Sequence, residues 1–138
     1  MRARLALAGA LLATAAATAP TAHAGAGDGL SVTPHGTVAD DGTVTLSGSY
    51  RCLDDSAGPV FVSSTLVQDD RSSGIGGTRA VCDGQVHEWT NSAVVRGPGY
   101  RPGEARVKAT LMQLTAQGPL GLPLPGFLAV KESPVTLG

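Results

Sequence analysis

Hydrophobic and polar residues alternate with a period of two along most of the chain, and no stretch after residue 29 repeats at the 3.6-residue period of a helix. The clearest case is EARVKATLMQL at 104–114, where Ala105, Val107, Ala109 and Leu111 share one face. Such alternation is typical of half-buried β-strands. The predicted strands are 30–32 with a short continuation at 37–39, then 43–52, 59–68, 75–82, 85–95, 104–114 and 127–137.

Turn-forming residues separate these segments at intervals of roughly ten residues. The predicted turns and loops are 39–43, 53–58, 69–74, 83–84 and 96–103. Within the weakest strand, Gly76-Gly77 predicts a bulge or a close crossing. About seven strands at this spacing favour an antiparallel β-sandwich, and a small closed barrel is the alternative.

The first 24 residues have the pattern of a secretory signal peptide. Arg2 and Arg4 precede an Ala/Leu-rich apolar core, which is too short for the ~20 residues of a membrane span, and Ala22-His23-Ala24 supplies the small residues of a cleavage site. We therefore expect cleavage after Ala24, a flexible leader at 25–29, and one secreted domain at 30–138 without a membrane anchor.

Charge and composition limit the classes of partner that the exported domain can bind. Loss of Arg2 and Arg4 changes the formal net charge from −1 to −3, so no basic patch favours nucleic acid or an anionic membrane. Cys52 and Cys82 are the two cysteines, and an even count in an oxidising compartment favours a disulfide between them. Closing this loop predicts a stabilisation of ~3–4 kcal/mol.

Residues with catalytic or metal-binding chemistry are few. The pairs Asp40-Asp41, Asp54-Asp55 and Asp69-Asp70 suit turns, and antiparallel strands would place the second pair at the opposite end from the other two. Asp83 and His87 are close in sequence but lack a nucleophile motif. We expect no metal, no cofactor and no enzymatic activity.

The segment QGPLGLPLPGFL at 117–128 is unusually apolar for a loop between strands. Its prolines stiffen it towards an extended path, which suits a surface that binds a partner. The candidate binding residues are Leu120, Leu122, Leu124 and Phe127. The alternative is that these side chains fold back and plug the open end of the sandwich.

The ordered set of TVTLSGSYRC, GPVFVSS, GIGGTRAVCDG, Trp89 and PGEARVKATLM resembles a family of small exported domains of unknown function from filamentous high-GC bacteria. The resemblance implies an immunoglobulin-like β-rich domain and transfers no catalytic residue. The hypothesis is a secreted binding or surface-interaction module for a protein, the cell wall or a small apolar ligand. A carrier of a small apolar molecule and an inhibitor of an extracellular hydrolase are the alternatives.

Overall fold

The computed structural model describes residues 27–116 and 119–138, so the predicted signal peptide lies outside the described residues. The strands are β1 (Gly29–Val32), β2 (His35–Val38), β3 (Thr43–Arg51), β4 (Val60–Gln68), β5 (Arg71–Arg79), β6 (Val86–Val94), β7 (Gly103–Thr115) and β8 (Leu124–Leu137). A short 3-10 turn at Pro119–Gly121 precedes β8. Among the described residues, we find no helix with the length and apolarity that a membrane crossing requires.

The strands form two layers that β2 joins into one open eight-stranded sheet. In one layer β3 pairs with β1 and β6, and in the other the order is β5-β4-β7-β8, all antiparallel. Strand β2 pairs with β3 and then runs parallel to β8, so it passes from one layer to the other. The predicted all-β immunoglobulin-like sandwich is confirmed, with eight strands and one parallel pairing in place of a purely antiparallel set.

The alternation of side chains places the core between the two layers. Buried and half-buried residues alternate without interruption along β3 and β4, as the sequence pattern predicts. The central strands therefore contribute every second residue to one apolar core. Its largest fully buried side chains are Trp89, Leu46, Leu66, Ile75, Leu111 and Leu137.

Polar side chains close the gap between the edges of β5 and β6, where the sheet stays open. Asn91 is buried, and its side-chain amide donates to the Val62 carbonyl and to the Ser64 hydroxyl. The Thr78 hydroxyl lies 2.6 Å from Asn91 Oδ1. Gly76 has φ +63 and approaches the Ser92 backbone closely, which confirms both the bulge and the crossing expected there.

Strand β1 is held against β3 by the indole of Trp89. The indole N–H donates to the Ser31 carbonyl at 3.0 Å, across Gly48 of β3. A Cβ added at Gly48 would lie 2.0 Å from the Ser31 carbonyl oxygen, so β1 can pack here only because this position lacks a side chain.

Strands β5 and β8 begin three or four residues earlier than the sequence predicts, and β5 ends at Arg79 and not at residue 82, so Cys82 lies in a loop. Strand β5 begins at Arg71 and not at residue 75, because the preceding turn uses only Asp69 and Asp70 and the Ser/Gly-rich stretch pairs with β4. Strand β8 begins at Leu124 and not at residue 127, since Pro125 and Gly126 continue the pairing with β7. Pairing in the sheet extends strands whose own sequence pattern is weak.

The loops fall into two groups at opposite ends of the sandwich. The loops between β3 and β4, between β5 and β6, and between β7 and β8 lie at one end, which we call the disulfide end. The strand directions place Asp40-Asp41 and Asp69-Asp70 at the other end and Asp54-Asp55 at the disulfide end, as the sequence predicts.

Candidate functional site

Four large apolar side chains are exposed at the disulfide end, and we call this set the apolar tip. Leu120 is 97% exposed, and Leu122, Leu124 and Phe127 are also exposed. These are the four residues that the sequence singles out, and their side chains lie on the surface and not in the core. Leu128 of the same segment instead packs against the core as a partly buried residue.

The backbone of the tip turns sharply at its most exposed residue. Leu120 has φ 62 and Gly121 has φ 71, so two successive residues are left-handed. The Leu122 N–H donates to the Pro119 carbonyl at 3.3 Å and closes the turn. A leucine in this conformation costs roughly 1–2 kcal/mol. The turn therefore places Leu120 in solvent at a cost in backbone energy.

Leu124 and Phe127 belong to β8 and not to a loop, which corrects the predicted loop 117–128. A β-bulge places one extra residue, Leu128, between the pairs Leu111–Ala129 and Met112–Phe127. The extra residue reverses the alternation, so Phe127 faces outwards while Leu128 faces the core. The register places Phe127 on the outer side of the sheet beside Met112, whereas Leu124, three residues earlier, pairs with Thr115 and lies on the opposite side of β8.

The disulfide anchors the other loops of this end. Cys52 follows β3 and Cys82 lies between β5 and β6, and the two are joined as the sequence predicts. The Gly84 N–H donates to the Cys52 carbonyl, and Arg51 Nε donates to the Gly84 carbonyl at 2.7 Å. The loop that contains Cys82 is thus tied covalently and by hydrogen bonds to the end of β3.

The loop between β3 and β4 is tied to the strand that leads into the tip. The Gln113 side-chain amide donates to the Gly58 carbonyl at 3.1 Å. The Leu114 N–H donates to the Pro59 carbonyl at 3.0 Å. These contacts fix the end of β7, which is the first of the two strands that carry the tip.

The only pair with a catalytic appearance among the described residues is Asp83 with His87. His87 Nε2 lies 2.8 Å from Asp83 Oδ1, and the His87 ring packs beside Tyr50. Hydrogen bonds from the Gln85 N–H and from His87 hold the pKa of the Asp83 carboxyl below its ordinary value. No Ser or Thr hydroxyl of the described residues hydrogen-bonds to His87, so the pair has the geometry of a turn contact.

The aspartate pairs also act as turn residues. Asp41 accepts a hydrogen bond from the Thr43 N–H, and Asp54 accepts one from the Ser56 N–H. The pKa of Asp41 is lowered by the Thr43 side chain and then by the Thr43 N–H, and the pKa of Asp54 is lowered by the Ser56 N–H and then by the Ser56 hydroxyl. Within residues 27–116 and 119–138, no three His, Cys, Asp or Glu side chains gather as metal ligands would.

An open depression of about 590 Å³ lies far from the tip, on the outer side of β4, β7 and β8 near the opposite end. Its lining mixes the charged residues Asp69, Glu104 and Arg106 with Val67 and Pro134. The depression is open to solvent. It lacks the converging polar groups of a small-molecule site.

Comparisons with solved structures find only distant similarity. A β-glucosidase from Listeria innocua, in complex with isofagomine, is 12% identical with a TM-score of 0.43, and covers 80% of this chain and 16% of its own. The chain thus spans about a sixth of that enzyme. The DNA-bound alkylpurine DNA glycosylase AlkC of Pseudomonas fluorescens is 15% identical, with a TM-score of 0.35 and coverages of 79% and 29%.

The putative ApaA protein of Bordetella pertussis is also 15% identical with a TM-score of 0.35, and covers 76% of this chain and 90% of its own. Similarities of this strength carry no argument about function. A comparison with curated protein sequences finds no match. A family match is present, and it spans residues 26–138, which include every strand of the sandwich and both cysteines. The chain therefore belongs to the family of unknown function DUF6299.

Proposed function

We propose that this protein is a non-enzymatic binding module that works outside the cell and docks on a partner protein through the apolar tip. The observation that carries the proposal is the exposure of Leu120, Leu122, Leu124 and Phe127 on one short turn and strand start. Four large apolar side chains exposed within one short segment of a small domain are typical of a site where a protein binds.

The rigidity of the tip supports the proposal. Pro119, Pro123 and Pro125 restrict the backbone of the tip, and a 3-10 turn closes it. The disulfide fixes the neighbouring loop. Because a surface that is already ordered loses little conformational entropy on binding, more of its contact energy appears as affinity.

An extracellular location agrees with the chemistry of the chain. A disulfide between Cys52 and Cys82 is stable in an oxidising compartment, and the N-terminal pattern is that of an export signal. A binding role without catalysis agrees with the turn-like geometry of Asp83 and His87.

The alternatives have less support from the geometry. A carrier of an apolar molecule needs an enclosed apolar cavity, whereas the depression of about 590 Å³ is open and partly charged. An inhibitor of a protease presents an extended loop, whereas Leu120 and Gly121 are left-handed. A cell-wall polymer is recognised through many hydrogen bonds, which leucine side chains cannot make.

The test replaces two residues of the tip with charged ones. The double variant Leu122→Asp plus Leu124→Asp places two carboxylates on a surface that is already solvated, so we expect thermal unfolding close to that of the wild type. Immobilised wild-type protein is exposed to the proteins secreted by its host, and retained species are compared with those of the variant. We expect the variant to lose the retained partner.

The matched control is Val86→Asp plus Val94→Asp, which places the same charges on two exposed valines of β6, on the other layer. This control should retain the partner. Equal retention by the tip variant would remove the proposed site. A tip variant that fails to fold would show that the leucines stabilise the domain, and would likewise contradict the proposal.

A further inference from the structure

The outer side of the layer β5-β4-β7-β8 carries rows of side chains that can be read from the strand register. The row nearest the tip is Arg79, Phe61, Met112 and Phe127, followed by Gly77, Ser63, Thr110 and Val130, and then by Gly74, Thr65, Lys108 and Glu132. We call this surface the outer face. Bulky residues lie on its β8 side and glycines on its β5 side.

Gly74 and Gly77 flank the bulge of β5, but neither is required to be glycine by its own φ or by a neighbouring atom. Neither has a positive φ, an added Cβ at Gly74 meets nothing within 4 Å, and one at Gly77 meets only the Val62 carbonyl at 3.7 Å. Gly76 between them differs, since its φ of +63 and its approach to β6 require glycine. Glycine in a strand marks a bulge or a close approach of another backbone, and beside this bulge the two glycines leave the surface open to a second chain.

The outer face is complementary to itself. A two-fold axis parallel to the strands, between β4 and β7, places β8 of one copy over β5 of the other and keeps each row at the same level. Val130 then lies over Gly77 of the second copy, and Phe127 lies over Arg79. Within one copy the Arg79 guanidinium already packs over the Phe61 ring at 5.7 Å, so it is disposed to contact aromatic rings.

We propose that the protein forms a symmetric dimer by packing the outer faces of two copies. The glycines of β5 receive the projecting side chains of β8, and Phe61 meets Met112 in the middle of the interface. Lys108 and Glu132 are register partners on β7 and β8. They lie one row from the edge of the outer face that is farthest from the tip, where solvent can reach them.

The area is sufficient for a dimer of moderate affinity. Four strands at about 4.8 Å spacing and nine residues at about 3.3 Å make a face of roughly 19 by 30 Å. Two such faces bury more than the ~1,000 Å² that distinguishes specific interfaces from accidental contacts. The exposed side chains of Phe127 and Val130 contribute most of the apolar part.

The dimer arranges the two apolar tips at the same end, because rows keep their level under this axis. Phe127 is covered in this dimer, so each tip offers a partner only Leu120, Leu122 and Leu124, and the dimer does not depend on what these leucines bind. If the tips bind a partner, two tips side by side would raise the apparent affinity for a surface that displays it in many copies.

The test is sedimentation equilibrium of the purified protein over a wide concentration range. The wild type should pass from monomer to dimer as concentration rises. Gly77→Arg fits the monomer, because the position is open and its φ is ordinary, yet it fills the space that Val130 requires. Val130→Arg places a charge in the same contact, and each variant should weaken association by at least about tenfold.

The matched control is Val94→Arg, because Val94 is 60% exposed on β6 and Val130 is 54% exposed on β8. It makes the same chemical change on the other layer and should leave the dimer intact. Thermal unfolding at low concentration verifies that each variant is folded. A wild type that stays monomeric at all concentrations would overturn the proposal, as would dimerisation that Gly77→Arg and Val130→Arg leave unchanged.

A cross-link tests the geometry directly. Gly77→Cys combined with Val130→Cys places thiols on β5 and β8 of the same row, three strands apart. Three strand spacings are about 14 Å, beyond the ~7 Å limit between Cα atoms of a disulfide within one copy. Sheets stacked face to face lie about 10 Å apart, so the thiols of two copies are joined with a short thiol-specific cross-linker and not by a direct disulfide. We expect the cross-linker to give a covalent dimer. A cross-linker that gives no covalent dimer, while the wild type dimerises, would contradict this axis.

Discussion

Removal of the disulfide tests how much of the stability comes from the cross-link. Cys52 and Cys82 are 30 residues apart, and in the chain-entropy description a loop of this length restricts the unfolded chain by about 3.6 kcal/mol at 25 °C. The whole domain has a stability of ~5–15 kcal/mol. Reduction should therefore lower Tm by about 15 °C for a domain of this size.

The assay is urea unfolding of the oxidised protein, of the reduced protein in excess reductant, and of Cys52→Ala plus Cys82→Ala. Reduction removes only the cross-link, whereas the double variant also leaves a void at the fully buried Cys52 and should lose ~1 kcal/mol more. The hydrogen bonds between Arg51, Cys52 and Gly84 cannot replace the cross-link, because they do not restrict the unfolded chain. A loss below ~1 kcal/mol on reduction would refute the entropic reasoning.

Two further perturbations test local packing and charge. Gly48→Ala should lower the free energy of unfolding in urea by ~2–4 kcal/mol, because the added methyl collides with the Ser31 carbonyl and displaces the Trp89 indole. The control Gly29→Ala, which adds a methyl in open space, should change it little. Equal effects of the two variants would disprove the predicted collision. Asp83→Asn should make the loss of stability in acid shallower. The native pKa of Asp83 is lowered, so its contribution is present above about pH 4 and is lost as the pH falls through that lowered value. If the variant loses stability in acid as steeply as the wild type, the turn hydrogen bonds of Asp83 contribute nothing to stability.

The strands with regular alternation could be predicted closely from the sequence. The segment 43–52 corresponds to β3 at Thr43–Arg51, and 104–114 corresponds to β7 at Gly103–Thr115. In both, every second residue is apolar and buried, so the local pattern and the tertiary packing demand the same conformation. The disulfide was predictable for a comparable reason, since two cysteines allow one pairing.

The strand β5 shows where this reasoning stops. Its residues 71–77 are mostly serine and glycine, which carry no hydrophobic period, and the sequence predicts a turn over 69–74. The structure pairs this stretch with β4, because an edge strand can be held by backbone hydrogen bonds to a regular neighbour. The start of β8 at Leu124, before Pro125 and Gly126, has the same cause.

The candidate site, too, could be predicted only in part from the sequence. Apolar residues in 117–128 are visible in the sequence, but the sequence leaves open whether they plug the sandwich or face solvent. The bulge at Leu128 decides this for Phe127, because one unpaired residue reverses which side chains face outwards. The outer face, with Gly77 at the level of Val130, is invisible without the register of four strands.

The sequence by itself determined the β class, the central strands and the cysteine pairing, since these depend on local periodicity and on residue counts. Only the tertiary structure decided that β2 joins the two layers, that Leu120 is in solvent, and that the surface at Gly74 and Gly77 is open. These properties depend on which distant segments lie side by side, and pairing between distant strands is not encoded in any short stretch of the chain.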